Sequence, residues 1–173
     1  MVAACRKLAI CYGNGLDALV RPAVLLGILA LGLALGSIVL GHLLVVPAMQ
    51  ADTTLVDANL ARALSEPIAL RSAELGLMAT VIVAAVARLW LRHHAATTLG
   101  LLAAGLAATD RFVILPRVHE GWARVDLVAM RPLDRIESAE QLTTVHQGCI
   151  AAIVLVLVGL AVLASWKRKV NIS

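Results

Sequence analysis

Four stretches of the chain are apolar for long enough to cross a bilayer, and the segments between them are short, polar or amphipathic. A spanning helix needs roughly 20 apolar residues. The first stretch covers about 23–46, between Pro22 and Pro47; the others cover about 70–91, 95–115 and 148–166. Only RHHA separates the second from the third, which predicts an antiparallel helical hairpin. The first run is too long for the apolar region of a signal peptide, about 7–15 residues, and reads as a retained helix.

The two connections on the other side have helical periodicity of their own. In TTLVDANLARALSE (53–66), Val56, Leu60 and Leu64 recur every fourth position, an amphipathic surface helix expected to stop at Pro67. In PLDRIESAEQLTTVHQ (132–147), Pro132 suits a first helical position, and Leu133, Ile136, Ala139 and Leu142 follow helical spacing. That segment is expected to run straight into the fourth span, with Asp134, Arg135, Glu137 and Glu140 as a solvated face. The expected fold is therefore all-α: an integral membrane four-helix bundle forming one domain over 1–173, with two short amphipathic helices on its outer face.

Composition agrees. The chain is 61% hydrophobic, against roughly 45–50% in soluble domains. Its net charge of +4 comes without a set of aromatic stacking residues, so it gives no case for nucleic-acid binding. Arg6, Lys7, Arg21, Arg88, Arg92, Lys167, Arg168 and Lys169 lie on one side with a single acid, Asp17. The other side has seven arginines but ten acids. Dense basic residues beside short loops mark the cytoplasmic side. The expectation is a bacterial inner-membrane protein with both termini in the cytoplasm. Cys5, Cys11 and Cys149 have no disulfide or zinc spacing and read as free thiols.

The first span carries Gly27, Gly32, Gly36 and Gly41, and Gly32 with Gly36 forms a GxxxG match. The third is rich in Ala and Gly. Small faces let helices approach closely in lipid. The expected use is packing inside the bundle, with a homo-oligomer or membrane-protein partner through Gly32 and Gly36 as the alternative.

The chemistry gathers at one level. In TDRFVILP, Asp110 lies about 22 Å along the third span, near its outer end. His42, Glu74, His146 and Cys149 fall at the same end of the other three, and His119 follows a turn beyond the third. Adjacent residues diverge by about 100° on a helix, so Asp110 and Arg111 must find different partners. Charges inside a bilayer demand partners; the expected pairs are Glu74–Arg111 and Asp110–His146. Three uses are open. The set is a structural polar network; or His42, His119 and His146 hold a metal such as copper or zinc, or a haem; or the cluster is a proton or small-solute carrier site. Tight HxxxH spacing is missing, which weakens the metal reading, and no catalytic motif stands out.

Several short features carry a family likeness. VVPAM ends the first span and Arg62 follows; Arg111-Phe112 precedes Pro116; His146-Gln147-Gly148 opens the last span. In this the chain resembles the four-helix membrane family around eukaryotic transmembrane protein 205 and its bacterial relatives, although Gln147 interrupts the family's His-Gly. The resemblance implies a four-helix membrane protein in which Arg111 and His146 matter, and supplies no reaction. The copper-resistance D and anthrone-oxygenase types share the outline. The functional expectation is an accessory subunit or envelope-stress protein without enzymatic activity.

Overall fold

The computed structural model describes residues 22–51, 57–91, 94–126 and 133–170. They form four helices: α1 (Pro22–Ala51), α2 (Ala58–Leu91), α3 (His94–Ala123) and α4 (Leu133–Val170). All four are long and apolar enough to cross a membrane, which makes the chain an all-α bundle of integral-membrane type. Val56, Pro132, His93, Cys5, Cys11 and the basic residues Arg6, Lys7, Arg21 and Arg92 lie outside the described residues.

The bundle inverts the packing of a soluble protein. On α1 the core face is Ala30, Leu31, Ala34 and Ile38, whereas Leu25, Leu29 and Leu40 point outward. On α2 and α3 the core is mostly alanine, Ala69, Ala73, Ala79, Ala87, Ala96, Ala103 and Ala107 among others, with the larger Val83, Leu91 and Leu115 between them. Lipid tails are as apolar as leucine, so nothing drives large side chains inward, and close backbone approach decides which faces meet. Helix α4 fills the space left by the alanines: Ile153, Leu157 and Leu160 are almost wholly buried. At the α2–α3 contact a Cβ on Gly100 would lie 2.9 Å from the Cα of Ala84. Gly41 is equally tight, since its missing Cβ would overlap the Ser72 side chain.

Gly32 and Gly36 behave otherwise. A Cβ on either would meet nothing within 4 Å. Their face borders an outward groove with Leu33, Leu40, Ile68 and Leu75, so the expected packing role inside the bundle falls instead to Gly41, Gly76 and Gly100.

Helix lengths also depart from expectation. The amphipathic segment starting at Ala58 does not stop at Pro67; α2 continues through it for 34 residues. Proline fixes a helical φ and removes only one backbone N–H, a loss that a long, packed helix absorbs. The polar segment from Leu133 does run unbroken into the last span, giving 38 residues. At 1.5 Å per residue α2 and α4 are about 51 and 57 Å long, well beyond a hydrocarbon core of about 30 Å. At one end the excess of α4, together with the last turns of α3 and Val125 just beyond them, forms a second small core of Val118, Trp122, Val125, Ile136 and Ala139. The amphipathic pieces are thus extensions of spanning helices, not separate surface helices.

Two turns are wound as π-helix, Val39–Val45 in α1 and Asp110–Ile114 in α3. Wide turns of this kind concentrate at functional sites. These two present His42 and the Asp110–Arg111 pair.

Candidate functional site

Asp110 and Arg111 leave the same wide turn in different directions. Asp110 turns inward and is 2% exposed. Its Oδ1 lies 2.7 Å from Nδ1 of His146 on α4. The other ring nitrogen of His146, Nε2, lies 3.3 Å from Nδ1 of His42 on α1. Nε2 of His42 in turn lies 3.0 Å from the Ser72 hydroxyl on α2. All four helices therefore meet in one hydrogen-bonded chain: Ser72, His42, His146, Asp110. The imidazole rings stand edge-on, centroids 5.1 Å apart. Each member is buried, none more than 9% exposed.

Arg111 turns toward the rim. Its Nη2 donates to Oε1 of Glu74 at 2.8 Å, and Arg71 Nη1 donates to Oε2 of the same carboxylate at 2.8 Å. The structure thus contains both pairs expected from the sequence, and adds Arg71 to one of them.

The three histidines are not one set. His42 and His146 touch, but His119 pairs with Glu66, Nδ1 to Oε1 at 3.2 Å. Cys149 stands apart, its thiol donating to the Leu106 carbonyl at 3.7 Å. Among the described residues no three His, Cys, Asp or Glu side chains are grouped to hold a metal ion. Both nitrogens of His42 and both of His146 already face a hydrogen-bond partner. A metal–imidazole bond needs one of those lone pairs directed at the ion. Among the described residues, then, His42, His119 and His146 are not brought together as one metal-ligand set.

The chain has a second property, visible by counting protons. In one form the Ser72 hydroxyl donates to His42, His42 donates through Nδ1 to His146, and His146 donates through Nδ1 to an ionised Asp110. In the other, the Ser72 hydroxyl turns to the Ala69 carbonyl, 3.0 Å away, and accepts from Nε2–H of His42. One more proton is then held on the histidine pair or on Asp110, and every link remains bonded. A chain that gains or loses a proton without breaking a hydrogen bond suits proton storage or relay.

A pocket of about 620 Å³ opens beside this chain, at the end carrying the helix extensions. His42 and His146 form part of its wall, with Leu43, Val46, Leu115, Val118 and Ile150 as apolar lining and Gln50, Arg62, His119, Trp122 and Thr143 as polar or aromatic lining. That volume is typical of small-molecule sites. The walls are braced by neighbouring bonds. Trp122 Nε1–H donates to Thr143 at 2.9 Å, Gln50 to Ser65 at 3.0 Å, and Asn59 to Asp126 at 2.9 Å.

Sequence reasoning missed Ser72 and Trp122. Ser65 and Ser72 recur at i, i+7 along the alanine face of α2, a small-polar stripe that could have marked an inward bond. Trp122 had no signal beyond its aromatic ring.

Comparison with protein-family models, with curated proteins and with solved structures finds no match. Fold and site together define the class: a four-helix integral-membrane bundle with a buried polar chain beside a small-molecule-sized pocket.

Proposed function

We propose that this protein binds a small solute in the pocket and couples its binding to one proton held by the Ser72–His42–His146–Asp110 chain. The observation that carries the reading is that chain, which holds either proton count with all links made, and whose two histidines line the pocket. A proton-linked solute carrier is the form this takes in a membrane. With the dense basic residues in the cytoplasm, the pocket faces the opposite side of a bacterial inner membrane.

The test is histidine nitrogen NMR on the protein in nanodiscs, with His42 and His146 assigned by substitution. Proton coupling requires the ring nitrogens of His42 and His146 to change protonation or tautomer at one common midpoint as pH is varied, and Asp110→Asn to uncouple them. Rings that keep one tautomer over the whole range would reduce the chain to a structural tie. A Soret band or stoichiometric metal lost in His146→Ala would overturn the reading in favour of a cofactor site.

A second reading, an accessory or self-associating subunit in the envelope, has its own support. Gly32 and Gly36 lie open to the outside of the bundle with room for another backbone. Disulfide trapping of Gly36→Cys in native membranes should then give a covalent dimer or partner adduct. A monomer under full oxidation would end it.

A further inference from the structure

The arginines of the pocket end are unequally partnered. Arg71 and Arg111 share Glu74. Arg62 has no such arrangement. Glu66, the acid one turn along α2, turns instead to His119. Among the described residues no carboxylate lies within ion-pair distance of Arg62, and its Nε is buried with no hydrogen-bond partner. What Arg62 does have is the indole of Trp122, whose ring centroid lies 3.8 Å from the guanidinium carbon. The ring face attracts the cation but supplies no acceptor for its N–H groups. Both residues line the pocket.

A half-buried guanidinium with its charge unanswered is costly unless something brings an anion to it. The fork of N–H donors matches a carboxylate or phosphate in two parallel bonds. The rest of the lining carries two acids that already have partners, Glu66 with His119 and Asp126 with Asn59, a second arginine, Arg124, and the apolar residues Leu43, Val46, Leu115, Val118 and Ile150. We infer that the pocket takes an anionic amphiphile, its acidic head on Arg62 above Trp122 and its apolar body against the lining of α1, α3 and α4. At about 620 Å³ the site encloses a compact organic acid whole, or the head and first chain segment of an anionic lipid. The inference rests on the pocket being a binding site, and does not require the proton chain to work.

Trp122 supplies the readout. The chain has three tryptophans, so Trp90→Phe with Trp166→Phe leaves Trp122 as the sole indole. In phosphatidylcholine nanodiscs, dodecanoate should change its fluorescence saturably. Dodecan-1-ol, with the same body and no charge, should bind at least about tenfold more weakly, the size of a lost charge-assisted bond. Arg62→Gln should weaken dodecanoate by a similar factor. Arg62→Lys should keep part of the affinity, which separates lost charge from lost fold. Arg117→Gln, an exposed arginine on α3, should change nothing. If phosphatidylglycerol nanodiscs already give the saturated signal and dodecanoate adds nothing, the anion is a lipid headgroup. If dodecanoate titrates equally in both bilayers, it is a free acid. Equal binding of acid and alcohol, an unchanged Arg62→Gln, or no saturable signal in either bilayer would overturn the inference. Dodecanoate binding retained in Asp110→Asn would keep this site even if the proton coupling failed.

Discussion

Asp110 and Arg111 are neighbours in one wide turn, yet they live in different solvents. Asp110 is 2% exposed and completes a chain that crosses all four helices. The Arg111 side chain is 20% exposed and shares its carboxylate with a second arginine at the rim. The difference teaches that charge in a spanning segment has no single meaning. A buried carboxylate must be answered by a fixed partner, and its removal strands that partner. A rim pair is solvated and redundant, and contributes little.

The sharpest way to break the comparison is to delete the inner member. Asp110→Ala leaves His146 facing an empty acceptor site. Breaking a buried pair costs about 3–5 kcal/mol, so thermal unfolding in mild detergent should shift by several degrees or fail to show a folded baseline. An unshifted melt would mean the chain is wet and the burial illusory.

Next comes the backbone approach that aligns the chain. Gly41→Ala places a Cβ into the Ser72 side chain. Overpacking of this kind costs about 1–3 kcal/mol. Gly32→Ala, open to the outside, should stay within about 0.5 kcal/mol of the parent. Equal melts for the two variants would show that α1 and α2 are not held as described.

A smaller effect is expected at Trp122→Phe, which removes the N–H bond to Thr143 and keeps a single six-membered ring in place of the indole. About 1 kcal/mol is at stake, measurable as a modest loss of stability. The smallest belongs to the rim. Arg111→Leu leaves Glu74 with Arg71, and the variant should melt with the parent. A large loss there would move Arg111 into the same category as Asp110.

Much of this was legible in the sequence, for a physical reason. Span number, the hairpin after Leu91 and the run of the polar segment into α4 follow from hydropathy over lengths the bilayer dictates. The Asp110–His146 and Glu74–Arg111 pairs follow from depth, since charges at one level must meet. Three things did not follow. Pro67 reads as a stop because propensity knows nothing of the packing that carries α2 through it. Gly32 and Gly36 read as internal because a motif does not say which way its face points. The link between His42 and His146 sets out from the π-turn of α1 that carries His42, which shifts helix phase and leaves no compositional mark. His119, at a similar level, was grouped with them by depth alone; Glu66 claims it.

Those wide turns carry a consequence for how the chain tolerates change in length. A π-turn behaves as one surplus residue in an otherwise regular helix. Removing a residue from Val39–Val45 or from Asp110–Ile114 would restore ordinary winding and keep the flanking segments in phase, because the turn already absorbs the surplus residue. The helices would be locally better formed, but the side chains inside the turn, His42 or Asp110 among them, would be re-aimed. Regularity and alignment are therefore in opposition at these two places, and a single-codon deletion there should yield a protein that inserts normally while its polar chain is severed.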